Sequence, residues 1–139
     1  GCGTITNPCK VTIDSSKTVD ITLSKYIKQA TDTISGTVTL PASVSVTDKP
    51  WYVAVDNDLD GGNGMVAETK GVVTGSTFSY SIPNVPSGDY YVYTDVSLTG
   101  TLGPLKSGDY VGFGCGTITN PCKVTIDSSK TVDITLSKY

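Results

Sequence analysis

The chain has 139 residues, 37% hydrophobic and 17% charged, with 15 glycines and a net charge of −3, enough for one ordinary domain with a core and too few for two. It contains no histidine and no arginine, its ten positive charges all being lysines, which excludes Ser-His-Asp and Cys-His catalysis and histidine-ligated zinc and removes the arginine contacts that dominate guanine and phosphate recognition. The acidic balance argues further against nucleic acid as a partner, and no apolar run approaches the roughly 20 residues that span a bilayer.

The first segment, GCGTITNPCKVTIDSSKTVDITLSKY at Gly1 to Tyr26, recurs letter for letter at Gly114 to Tyr139, an offset of 113 residues. Exposed Ser and Lys positions tolerate change at little cost, so 26 identities in 26 positions mark a very recent common origin, in a tandem-repeat gene or by engineered duplication. The offset is about the length of one small β-sandwich. The expected division is a duplicated terminal hairpin over residues 1–26, belonging to a preceding repeat or docking into a neighbouring subunit, and a complete domain over 27–139. A domain has room for one copy of these strands, and an isolated hairpin is marginal in water. Val19, Ile21 and Leu23 are therefore the expected inserted face if the first copy adds to a neighbour.

Tyr26 to Thr31 is the one short helical candidate, read as a connector between successive domains. Thr33 to Leu40 alternates as a strand, with Ile34, Val38 and Leu40 on one face. Trp51 to Asp56 is the most apolar strand and is expected to be central. Met65 to Thr74 and Thr77 to Ile82 follow, the latter with Phe78, Tyr80 and Ile82 at period two. Pro83 to Gly88 reads as a turn. Asp89 to Leu98 is a Tyr-rich strand and Ser107 to Phe113 a short one. Lys123 to Ile126 and Thr131 to Leu136 read as a hairpin around Asp127 to Lys130, with Val132, Ile134 and Leu136 inward and Thr131, Asp133 and Thr135 outward. The fold class is all-β, an antiparallel sandwich of seven or eight strands.

Phe78-Ser-Tyr80-Ser-Ile82-Pro-Asn-Val85-Pro86-Ser-Gly88-Asp-Tyr90, following Ser35-Gly36-Thr37-Val38, resembles the carboxypeptidase-regulatory-like and Cna-B-like family of transthyretin-type sandwiches. The resemblance covers most of Thr33 to Tyr139 and implies a stalk, spacer or carbohydrate-associated module of a bacterial surface protein. Some relatives carry a Lys-Asn isopeptide staple. The first strand here lacks the Lys and the last lacks the Asn, so no such bond is expected.

Cys2 with Cys9 and Cys115 with Cys122 form two identical C-x6-C pairs around Gly-Thr-Ile-Thr-Asn-Pro. Local disulfides are the expected pairing, because a small ring is the cheapest closure; zinc is the rival, and exchange across a subunit boundary a further alternative. Disulfides imply an oxidising, extracellular or cell-surface compartment.

Asp56-Asn57-Asp58-Leu59-Asp60-Gly61-Gly62-Asn63-Gly64 fits D-x-D-x-D-G, in which alternate carboxylates point into one concavity. Structural calcium is the expected occupant, held by Asp56, Asp58, Asp60 and Asn63. The loop lacks the acidic twelfth position of an EF-hand, so a second segment is needed: Asp109 first, Asp95 second. The bland reading is a solvated Asp/Gly turn. Trp51, Tyr52, Tyr90, Tyr91 and Tyr93 offer the alternative of a sugar-stacking face for a surface glycan. The sequence is thus read as a non-enzymatic structural repeat unit of an extracellular fibre, stalk or adhesin, its main partners neighbouring copies of itself.

Overall fold

A computed structural model describes residues 3–4, 7–23, 30–60 and 64–139. Of the connector expected over residues 26–31, residues 26–29 lie outside the described residues and Thr31 opens the first strand. The chain is all-β. Its first strand, β1 (Thr31–Thr39), pairs antiparallel with β4 (Thr77–Pro86). On its other edge β1 pairs parallel with two short strands of the second copy, β10 (Lys130–Thr131) and β11 (Ile134–Thr135). The facing sheet runs β12 (Ser137–Lys138), β6 (Tyr110–Phe113), β5 (Gly88–Val96), β2 (Pro50–Asp56), β3 (Met65–Val72), with β9 (Val124–Ile126) on the start of β5. A two-stranded ribbon, β7 (Gly116–Thr117) with β8 (Asn120–Pro121), completes the described strands.

The sandwich encloses Ile34 and Val38 of β1, Phe78, Tyr80 and Ile82 of β4, Trp51, Val53 and Val55 of β2, and Ile126, Val132, Ile134 and Leu136 of the second copy. The alternation read for Thr77 to Ile82 and for Thr131 to Leu136 is the one observed: the apolar members are buried and the intervening residues exposed. The central position of β2 is also observed. Its other face is buried as well, because Tyr52, Ala54 and Tyr93 are covered by Leu102 and Leu105 of the loop after β5.

Four expectations are corrected. Strands expected to be all antiparallel include the parallel pairs of β1, because the second copy returns to the β1 edge after crossing from the other sheet. Lys123 to Ile126 and Thr131 to Leu136 form no hairpin: β9 bonds to β5 while β10 and β11 bond to β1, so the Asp127–Ser129 stretch arches between sheets. The strand expected over Thr131 to Leu136 is two short ones, β10 and β11, and between them the Val132 carbonyl is taken by the Tyr80 hydroxyl and not by a ladder partner. The PNVP run belongs to β4, not to a turn; only Ser87 separates β4 from β5. The register against β1 shifts between Asp32 and Ile34, and Asn84 has φ 60°. A bulge there absorbs Pro83, whose missing N–H is not needed where the ladder is interrupted.

Candidate functional site

The strongest functional feature is the seat in which the second copy of the repeated segment lies. Thr131 to Leu136 is held along β1 by backbone bonds from Val132 N–H to Ser35 O (2.7 Å) and from Leu136 N–H to Thr39 O (2.9 Å). Side chains add to these: Thr37 N–H donates to Asp133 Oδ1 at 2.9 Å and Thr33 N–H to Ser129 Oγ at 3.0 Å. The Tyr80 hydroxyl donates to Val132 O at 2.5 Å. Burial, then the nearby Asp133 charge, holds this phenol above its ordinary titration range, so it remains a donor.

Two glycines shape the seat. A Cβ on Gly36 would collide with the Val132 carbonyl, and one on Gly112 would lie 2.5 Å from Ile134 Cγ2 and 2.7 Å from Thr135 O. Glycine inside a strand marks close backbone approach, a signal that the sequence carries at Gly36, in the motif of the family resemblance, and at Gly112, which stands in no recognised motif. Tyr80, Ser129 and Asp133 carried no such signal. Beyond β11, Tyr139 closes the seat, its N–H bonded to Asp109 O (2.9 Å) and its carbonyl accepting from Gly108 N–H (2.8 Å).

The first copy is placed differently. Residues 11–23 contain no strand, and Ile13, Ile21 and Leu23 are 64%, 72% and 90% exposed. Their counterparts Ile126, Ile134 and Leu136 are 1%, 1% and 2% exposed. Val19, the third residue of the expected inserted face, is also exposed, whereas Val132 is buried.

Cys115 and Cys122 are disulfide-bonded with a Cα separation of 5.1 Å, as the local pairing requires. Gly116, at φ 75°, turns the ring, where any side chain would strain the backbone. Cys9 is also disulfide-bonded, and no described cysteine is free. Cys2 lies outside the described residues.

In the acidic loop, one carboxylate oxygen each of Asp56, Asp58 and Asp60 lie within 4.8 Å of one another. Asp56 is fully buried at the end of β2, its Oδ2 accepting from Tyr93 Oη at 2.8 Å and its Oδ1 from Asp58 N–H at 3.2 Å. Asp60 N–H donates to Asp58 Oδ1 at 3.1 Å. That amide lowers the affinity of Asp58 for a proton, but desolvation and the Asp60 and Asp56 carboxylates outweigh it and the net shift is upward. The loop closes through Asn57 N–H and Nδ2, both on Gly64 O at 3.1 Å. A Cβ on Gly64 would stand 3.0 Å from Asp58 Oδ2 and 3.4 Å from Asp56 Oδ1, so glycine keeps the mouth of the cluster clear. These are hard oxygen donors close together, the kind of donor that calcium takes. Asn63 lies outside the described residues.

Asp109 is not in this cluster. It is buried beside Asp95, which faces Tyr52 across the ladder, four residues along β5 from the Tyr91 that faces Asp56. Asp109 Oδ1 accepts from Leu98 N–H at 3.0 Å, while Asp109 Oδ2 and both Asp95 oxygens have no hydrogen-bond partner. Burial, and then the charge of Asp109, raises Asp95 to about 7.

The five aromatic candidates share no exposed face. Trp51 is buried with its ring stacked on Phe78 at 4.3 Å, and Tyr52, Tyr90 and Tyr93 are buried. Tyr91 is half-buried beneath Lys123 Nζ, 5.2 Å from its ring centre. No helix among the described residues is long and apolar enough to cross a membrane. Comparison with protein-family models, with curated proteins and with solved structures returns no match.

Proposed function

We propose that this chain is a structural repeat unit of an extracellular fibre or stalk that joins head to tail with neighbouring copies of itself. The observation that carries this reading is the double fate of one sequence: residues 114–139 close the sandwich, while residues 1–26 repeat every letter and expose the side chains that their counterparts bury. Unpaired strand-forming sequence with an apolar face is a template for pairing with another chain, and a contact between different surfaces of identical units builds an open array instead of a closed ring. The disulfide fits an oxidising exterior. Calcium at Asp56, Asp58 and Asp60 would hold one end of the sandwich rigid. The resemblance to Cna-B-like stalk domains points the same way.

Multi-angle light scattering and electron microscopy of the purified chain over rising concentration test the proposal. Multimers are expected for residues 1–139 as the concentration approaches the millimolar range in which a second copy competes with the tethered segment in the seat, and monomers at every concentration for a chain beginning at residue 27. A full-length chain that stays monomeric throughout would overturn it.

A further inference from the structure

We infer that residues 1–26 dock only in trans, into the seat between β1 and β6 of a second copy, and have no access to the seat of their own chain. The inference rests on the head-to-tail reading and specifies its mechanics. The seat already displays its ligand. Every contact that residues 114–139 make there is available to residues 1–26, because Ser16, Val19, Asp20, Ile21 and Leu23 stand where Ser129, Val132, Asp133, Ile134 and Leu136 stand. The fit is stringent, since Gly36 meets the Val132 carbonyl and Gly112 meets Ile134 with no space for another atom.

Chain length then separates cis from trans. The seated segment runs parallel to β1, with Lys130 opposite Ile34 and Thr135 opposite Thr39, and finishes at Tyr139 beyond the Thr39 end. β1 starts at its opposite end, at Thr31. The nine residues of β1 cover about 26 Å. If residue 26 took the place of Tyr139 in its own chain, the five peptide steps to Thr31 would have to span at least that length, and they reach at most about 18 Å. In a second copy no such limit applies: the connector simply runs from the finishing end of one sandwich to the starting end of the next. The arrangement is polar and does not close on itself. A seat filled by its own residues 114–139 resists exchange, because a tethered segment competes at an effective concentration in the millimolar range.

The full-length variant Ile134→Asp with Leu136→Asp vacates the seat, since a carboxylate cannot be buried there unpaired, and leaves residues 1–26 intact. Multimers whose mean mass grows with concentration are expected. Added unmodified chain should shorten them, because it donates residues 1–26 but has a filled seat and ends growth. A free peptide of the residue 1–26 sequence should convert them to folded monomers. Adding Ile21→Asp and Leu23→Asp to the same variant should abolish assembly.

A folded, monomeric variant without peptide would show the segment reaching its own seat and overturn the trans rule, leaving the fibre reading untouched. An unfolded variant that neither assembles nor folds with peptide would overturn the equivalence of the two copies. Multimers that persist in the fourfold variant would also overturn the proposal, as aggregation without a donor.

Discussion

The two copies of the 26-residue segment agree wherever structure is made by near neighbours in sequence and part wherever it is made by distant ones. Lys17 Nζ donates to the Thr12 carbonyl at 3.2 Å, as Lys130 Nζ does to Thr125 at 2.5 Å. Asn7 N–H reaches Thr4 Oγ1 at 3.1 Å and Asn120 N–H reaches Thr117 Oγ1 at 3.2 Å, and Gly3 and Gly116 share left-handed φ values of 78° and 75°. Turns and rings are thus carried by the segment itself. Strands are not: Val124–Ile126, Lys130–Thr131 and Ile134–Thr135 are strands because β5 and β1 pair with them, and residues 11–23, with the same letters, have no strand. A strand satisfies its backbone groups between chains of hydrogen bonds that it cannot supply alone, whereas a turn satisfies them locally.

That contrast is open to direct attack by making one substitution at two equivalent positions. Leu136→Ala should cost about 2–5 kcal/mol of unfolding free energy, as for a buried leucine that leaves a cavity. Leu23→Ala should change it by no more than about 0.5 kcal/mol. Equal losses in denaturant titrations would mean that the first copy is also packed. Next in size is Cys122→Ser, expected to lower stability by about 2.5 kcal/mol through release of a short closed loop, while Cys9→Ser leaves the melting midpoint in place. The acidic loop lies outside both copies and serves as a reference. With millimolar affinity, 10 mM calcium should stabilise by about 1.4 kcal/mol, a gain that chelator or Asp58→Asn removes; an unchanged midpoint counts against calcium.

The remaining effect concerns pH. Asp95 titrates at about 7 in the folded chain against an ordinary value of 3.8. Between about pH 4 and 7 the native state therefore holds a proton that the unfolded chain has released, and stability falls as pH rises through that window. Asp109, Lys106 and Tyr52 face this group, all of them outside both copies of the repeated segment. Asp95→Asn should remove this dependence, read as a melting temperature that no longer falls between about pH 4 and 7.

Much of this was legible in the sequence where one face of a strand is buried. Period-two patterns in Phe78, Tyr80 and Ile82 and in Val132, Ile134 and Leu136 report the core directly, because a shift of one residue would turn every apolar side chain to solvent. The Cys115–Cys122 ring and the clustering of Asp56, Asp58 and Asp60 followed from short spacing. What stayed hidden depends on pairing between remote segments. Asp127 to Lys130 has the chemistry of a hairpin turn and equally of an arch between sheets, and only the neighbours β5 and β1 decide. Asp109 was assigned to the acidic loop because a sequence does not reveal its level along β5. The buried second face of β2, with Tyr52 and Ala54, required the overlying loop, and the bulge at Asn84 required the register against β1.

The parallel pairing of β1 with the second copy also has a mechanical meaning. In the proposed fibre, tension would enter β1 at Thr31 and leave the closing segment beyond β11, at opposite ends of two strands that run in the same direction. Such a load shears the pair. The Ser35–Val132 and Thr39–Leu136 backbone bonds and the Thr37–Asp133 bond are stretched together instead of one after another, so rupture requires several to fail at once. In the proposed fibre, the strand that completes the core would therefore also serve as the clasp that carries the load.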